Sequence, residues 1–270
     1  MQESVNILKT DSGTLLADLL ESDASYFEAA AIVEKIEGAS IARMAGLESL
    51  SAGAVVQRIE AKELPDNING WIADIEHKFA AYGISQLRFY LQYPIPRLEM
   101  ALNMDGYRSR IEHAVILFTN VDNRSSEEVT LKPCLSAADW TEKLAIHDSW
   151  EQAPDGHPAV AESWVSMERQ KCDAGYMHPY LIYLHGEAVG AANAAPQGSL
   201  LRLKNLVVAN NSCRKRIGSN TIGLFAHLAA DAGKGAVGAF VLDDEPFLRM
   251  YTQRGYQIAG QQTEWVKSLR

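Results

Sequence analysis

The 270-residue sequence predicts a mixed α/β fold, of the α+β kind, and three observations carry that expectation. Helix-like stretches that close on glycine alternate with short runs of alternating or continuous apolar residues. A helix–strand–helix–strand unit occurs twice, about 150 residues apart, as tandem copies of one domain rather than a solenoid of short repeats. A polar, turn-rich interval, TNVDNRSSEE from Thr119 to Glu128, separates the copies and places the domain boundary.

In the first copy, WIADIEHKFAAYG (Trp71 to Gly83) reads as a helix, QLRFYLQ (Gln86 to Gln92) as a strand and PRLEMALNMDGY (Pro96 to Tyr107) as a second helix. YRSRIEHAVIL supplies the last strand. The corresponding text in the second copy is TIGLFAHLAADAG (Thr221 to Gly233), AVGAFVLDD (Ala236 to Asp244), PFLRMYTQRGY (Pro246 to Tyr256) and YQIAGQQTEWVKSL. Ile72 and Ile222, His77 and His227, Ala80 and Ala230, and Gly83 and Gly233 coincide at constant offset. In both copies a proline opens the second helix, where its missing N–H costs little.

Ahead of the second unit the chain reads as a strand at Val129 to Lys132 and a helix from Ser136 to Trp150, with Ser136 as N-cap and Asp139 three residues on. The loop EQAPDGHP follows, then an amphipathic helix from Ala159 to Ala174. Three strands come next: HPYLIYLHG, AVGAANAA and SLLRLKNLVV.

The composition narrows the function. With 25 basic and 34 acidic residues the net charge is −9, which argues against nucleic acid or an anionic membrane surface as the main partner. No apolar stretch approaches the ~20 residues of a membrane span, and MQESVNILKTDSG does not read as a signal, so a cytoplasmic location is expected. Three widely spaced cysteines and seven histidines without ligand spacing give no reason to expect a metal.

The chemistry is expected where the strand Leu200 to Val208 meets the helix that starts near Gly218: LVVANNSCRKRIGSNTI. Three consecutive cations, Arg214, Lys215 and Arg216, precede a helix opening on Gly218 and Ser219. The unpaired amides and positive dipole end of such a helix suit a phosphate or pyrophosphate. This stretch resembles the pyrophosphate loop of the GNAT acetyltransferase superfamily, Val-x-x-x-x-[Arg/Gln]-x-x-Gly-x-[Gly/Ala]. Counted from Val208, Cys213 and Arg216 replace the family's Arg/Gln and first glycine, while Ile217 and Gly218 conform. Downstream, VLDDEPFLRMYTQRGY resembles the family's Asn-x-x-Ala-x-x-Leu-Tyr-x-Lys-x-Gly-Phe. Asp244, Phe247, Met250, Tyr251, Gln253 and Gly255-Tyr256 fall on its positions.

The resemblance implies two tandem GNAT-like domains, each a mixed, mostly antiparallel sheet flanked by helices. Residues 1–122 form a degenerate copy without the CoA loop, and residues 129–270 form the acyltransferase domain. It also implies acetyl-CoA, or another acyl-CoA, bound by Leu206, Val207, Val208, Cys213, Arg214, Lys215, Arg216, Ile217, Gly218, Ser219, Asp244 and Phe247. A small-molecule or peptide amine would attack the thioester directly in a gap between the strands Leu200 to Val208 and Ala236 to Asp244. Tyr251 is the candidate general acid toward the departing thiolate, since a phenol stays protonated at neutral pH.

No base is evident. The strand offers Arg202, Lys204 and Asn205 and no carboxylate, leaving a water chain, His157, His178 or Asp243. The first half has Glu63 and Asp66 where the loop should be, and Leu102 in place of Tyr251, so it binds no CoA on this reading. The alternatives are a non-catalytic acyl-CoA-binding or interaction protein on the same scaffold, and a transferase using an acyl-tRNA or peptide-linked donor. A monomer or a homodimer is expected.

Overall fold

The computed structural model describes residues 12–48, 50, 52–119, 128–151, 161–212 and 216–269. The first half runs α1 (Ser12–Glu28), β1 (Ile32–Ile36), β2 (Ala39–Arg43), β3 (Ala54–Gln57), α2 (Ile68–Ala81), β4 (Gln86–Leu91), α3 (Pro96–Met104) and β5 (Arg108–Phe118). The second runs β6 (Val129–Pro133), α4 (Ala137–Glu151), α5 (Ala161–Asp173), β7 (His178–Leu184), β8 (Glu187–Gln197), β9 (Leu200–Val208), α6 (Ile217–Asp231), β10 (Ala236–Leu242), α7 (Glu245–Thr252) and β11 (Gln257–Ser268). The turn-rich interval taken as the boundary, and the loop after α4, lie mostly outside the described residues.

Local chemistry explains the element ends. Ser136 Oγ accepts from Asp139 N at 3.2 Å while the Asp139 carboxylate accepts from Ser136 N at 2.7 Å, a reciprocal cap that opens α4. α2 and α6 end alike: the amides of Gly83 and Ile84 return to Ala80 and Phe79, and those of Gly233 and Lys234 to Ala230 and Ala229. Both glycines have positive φ (76° and 67°), which a side chain would resist. The repeat read in the sequence therefore reflects one helix-stop device used twice.

Among the described residues the strands form a single mixed sheet, in the order β1-β2-β3-β4-β11-β5-β10-β9-β8-β7-β6. The halves interlock through their last strands. β11 lies between β4 and β5, antiparallel to both, and β5 lies between β11 and β10. Each half thus takes an inner strand from the other, and the sheet runs unbroken between them. Most pairings are antiparallel; the parallel ones, β3 with β4 and β9 with β10, are short.

Side chains alternate across this sheet with the two-residue period of extended chain. On β5, Val115 and Leu117 join the core under α6, with Ile222, Phe225 and Val237. Ala114 and Ile116 point the other way and pack on Leu15 and Leu19 of α1. α2 and α3 cover the same face as α6 and α7, over Phe89, Leu87 and Trp265.

α1, which the sequence reading did not assign, crosses the middle of the opposite face and touches strands of both halves. Gly238 lets it approach: a Cβ there would stand 3.2 Å from Leu19 and 2.8 Å from Leu200. α4 and α5 complete that face. No helix among the described residues is long and apolar enough to cross a membrane.

Candidate active site

β9 and β10 run parallel, but their ladder has only three rungs, Leu200 to Ala236, Leu201 to Val237 and Arg202 to Gly238. Beyond these they part. Asn205 turns β9 aside: its φ is +52°, and the register against β8 slips between Ala191 and Asn193, as at a β-bulge. Glu168 of α5 holds the bulge, its Oε1 accepting from Asn205 Nδ2 at 2.8 Å and Asn193 Nδ2 at 2.7 Å. The Lys143 ammonium stands 2.8 Å from its other oxygen, and neither charge reaches solvent. Burial alone would raise the Glu168 carboxyl; the charges of Lys143 and His147 hold it below its ordinary value instead.

Leu206, Val207 and Val208 follow the bulge, partly buried and paired to β8 through Val207 to Ala191 and Val208 to Gly190. Cys213, Arg214 and Lys215 lie outside the described residues. Arg216 then precedes α6 with φ 56° and ψ 18°, left-handed and exposed. This is the position where the resembled loop has glycine, and the backbone shows why glycine suits it. The first bond within the helix runs from Asn220 N to Arg216 O. The amides of Ile217, Gly218 and Ser219 therefore have no acceptor in their own helix and point out of its N-terminal end.

α7 closes over this end. Asp244 precedes it in extended conformation, accepting from Leu248 N through its carbonyl and making no side-chain cap. Phe247, Met250 and Tyr251 recur at helical spacing and share one side. Phe247 is 56% exposed, while Met250 Sδ would lie 3.3 Å from a Cβ on Gly218, with Leu206 next to it. Gly218 is thus where α6, α7 and β9 meet.

Tyr251 is 7% exposed and packs edge-on against Tyr256, ring centroids 5.2 Å apart. Its hydroxyl makes no hydrogen bond among the described residues and is not sealed from solvent. Burial raises the phenol above its ordinary value.

Sequence reading missed a further cation here. Arg254 Nε donates to Ser219 Oγ at 2.8 Å and its Nη2 to Asn220 Oδ1 at 2.6 Å, laying the guanidinium along the first turn of α6. Only its position, next to the family-like Gln253, hinted at it.

A larger omission is a buried polar cluster on the opposite face, under α1. Asp23 forms an ion pair with Arg202 and lies 3.2 Å from Lys204 Nζ, both on β9. Gln262 of β11 donates from Nε2 to Asp23 Oδ2 at 2.8 Å and to Glu112 Oε2 of β5 at 2.7 Å. Glu264 joins Arg88 and accepts from Tyr90 at 2.9 Å. Burial would raise the Asp23 carboxyl, but Arg202 and Lys204 hold it well below the usual carboxylate range. Glu112 lacks such a partner and is pushed up to about 7, by burial first and the Asp23 charge second.

The signal was present. Asp23 interrupts the apolar stripe of Leu15, Leu19 and Phe27, and Glu112 continues the strand face of Ala114 and Ile116.

The three named base candidates are not brought together. His157 lies outside the described residues, and His178 is exposed at the start of β7, two strands from β9. Asp243, just past β10, pairs with His113 Nε2 at 3.0 Å. A separate cleft of about 820 Å³ lies in the first half, between α2 and the ends of β5 and β11, lined by Glu76, His77 and Lys267 among others. It contains none of the expected site residues.

No family model matches the sequence, and no curated protein matches it. Solved structures do. A GCN5-related N-acetyltransferase from Kribbella flavida superposes with TM-score 0.65 at 14% identity, covering 94% of this chain and 95% of that one. A functionally unknown conserved protein from Staphylococcus epidermidis ATCC 12228 gives 0.64 at 16%, covering 92% and 97%. A tandem GNAT protein from the clavulanic acid biosynthesis pathway gives 0.58 at 11%, covering 96% of each chain. The chain has the GNAT fold in tandem arrangement.

Proposed function

We propose that this tandem GNAT fold is a CoA-dependent acyltransferase with its donor site in the second half, moving an acetyl group from acetyl-CoA to an amine of a small molecule or peptide. One observation carries the reading: the parting of β9 from β10 lies beside the amides of Ile217, Gly218 and Ser219, which have no acceptor within α6, a fifteen-residue helix. An elongated donor with a diphosphate needs both an opened sheet and an anion-holding helix end.

The residues present fit such a donor. The amides of Ile217, Gly218 and Ser219, with Arg216 beside them and Arg214 and Lys215 preceding in the chain, would hold the diphosphate. Leu206, Val207 and Val208 would line the arm, and Asp244 and Phe247 stand at the start of the helix that closes the gap. The first half has no equivalent of this loop: the chain after β3 carries Glu63 and Asp66 before the Asn67 cap of α2.

When bound, the donor supplies a thioester carbonyl and a thiol leaving group. The chain's part is placement and proton handling. The bulge held by Glu168 fixes the backbone of Leu206 to Val208, and the amide of Val207 or Val208 is the donor for a developing oxyanion. Tyr251, kept protonated by its burial, gives the leaving sulfur its proton. Acceptor and acyl carbon react directly, and rate comes mainly from holding them in attack geometry.

The test is thermal shift and calorimetry with CoA and acetyl-CoA, followed by thiol release with amino acids, polyamines and aminosugars. Binding with turnover on at least one amine class is expected. Binding without turnover on any of them points to a sensor on the same scaffold, and no shift at millimolar CoA sinks the reading.

A further inference from the structure

Resting on the transferase reading above, we infer that Glu112, carried by β5 of the first half, is the base that takes the proton from the acceptor amine in the second half's site.

The interlocked sheet places it there. β5 is the neighbour of β10 on the side away from β9, and Glu112 stands opposite Leu242, the last residue of β10. Counted along the parallel ladder from Gly238 and Arg202, Leu242 is level with the turn of β9 at Asn205 and Leu206. Glu112 is therefore beside the open end of the gap, on the face away from α6. A donor held at α6 and an acceptor arriving over Glu112 would meet from opposite faces.

Its surroundings suit a proton acceptor. Oε2 is fixed by Gln262, whereas Oε1 makes no hydrogen bond among the described residues and the residue is only partly buried. The ionisable groups around it are Asp23 of α1, Arg202 and Lys204 of β9, Glu264 of β11 and Tyr90 of β4, with the Asp243–His113 pair at the end of β10. Arg202 and Lys204 are engaged by Asp23 rather than by Glu112. Burial and the Asp23 charge bring its carboxyl to about 7, where it exchanges protons at neutral pH. Asp23 acts through this arrangement as a positioning residue.

The step balances. Glu112 takes one proton from the ammonium; the freed nitrogen forms a C–N bond to the acyl carbon as the C–S bond breaks. The second nitrogen proton leaves with the sulfur by way of Tyr251, and Glu112 returns its own to solvent. Ammonium and thioester become amide, thiol and one proton.

Glu112→Gln keeps the shape and still accepts from Gln262, so it should fold. Two readouts are paired. In difference infrared spectra between pH 5.5 and 8.5, wild type is expected to show a carboxyl band titrating near 7 that Glu112→Gln lacks. In thiol release with acetyl-CoA and the amine panel, Glu112→Gln should lose about 100-fold in kcat/KM for the amine at pH 7. Acetyl-CoA affinity should stay within about twofold, activity should recover as pH nears the amine's own pKa, and Glu112→Asp should be intermediate.

Full activity in Glu112→Gln, or no band titrating near neutrality, overturns the assignment while leaving the transferase standing. Loss at every pH together with loss of acetyl-CoA binding means a structural role and overturns it too. A wild type that binds acetyl-CoA and transfers to no amine removes the transferase reading and this one with it.

Discussion

Arg202 on β9 and Asp23 on α1 form an ion pair at the centre of the interlocked sheet, 1% and 3% exposed. Two guanidinium nitrogens of Arg202, Nε and Nη1, have no hydrogen-bond partner among the described residues, so Asp23 is the main compensation for a sealed charge. Removing one partner of such a pair leaves the other buried and uncompensated, which costs about 3–5 kcal/mol. Asp23→Ala should lower unfolding stability in urea by that order, and Asp23→Ala with Arg202→Met should recover most of the loss. A loss below about 1 kcal/mol in the single variant would show that Arg202 is hydrated.

Tyr251→Phe keeps the ring against Tyr256 and deletes only the phenol proton. Turnover with acetyl-CoA should fall about 100-fold while the affinity for acetyl-CoA stays within about twofold. Unchanged turnover would leave Tyr251 as a core aromatic and move the acid elsewhere.

Glu112, partly buried, and Lys171, sealed, titrate near neutrality and bend the stability curve in opposite directions. Glu112 has its folded value raised from 4.5 to about 7, so its stabilising contribution is full below 4.5 and is lost as pH rises to 7. Lys171, 1% exposed, is pushed down to about 7 from 10.5 by burial and then by Lys204. The unfolded chain binds its proton more readily between 7 and 10.5, and stability from this group rises across that window. Urea midpoints measured from pH 4.5 to 10 should show a falling limb that Glu112→Gln flattens and a rising limb that Lys171→Met flattens. Limbs of reversed sign would contradict both assignments.

How much of this could be read from the sequence depends on range. The elements of the second half were legible because their signals are local: Ser136 with Asp139 at the start of α4, Gly233 after α6, Pro246 inside α7. The fold was legible because the same stops recur in the first half.

α1 was not. Its apolar stripe is interrupted by Ser22 and Asp23, which make sense only against Leu19 O and against Arg202, 179 residues away. The exchange of β5 and β11 was equally hidden, since strand order rests on pairings between residues 150 apart, such as Gln262 and Glu112. So the strand and helix start of β9 and α6, built on one contiguous stretch, were legible, and the polar cluster assembled from α1, β5, β9 and β11 was not.

Arg216 holds a left-handed conformation that a side chain resists by roughly 1 kcal/mol relative to glycine. Arg216→Gly should raise stability by several tenths to 1 kcal/mol in urea, while weakening CoA binding more at 20 mM than at 300 mM salt because a cation is lost. A destabilised Arg216→Gly would mean that its side chain holds the loop.

The amide spectrum of the protein titrated with CoA tests the central claim most directly. If a diphosphate rests on the start of α6, the largest shifts fall on Ile217, Gly218 and Ser219, with smaller ones at Leu206 to Val208. Shifts centred instead on Glu76 to Ala80 and Arg108 to Arg110, around the cleft of the first half, would contradict the account.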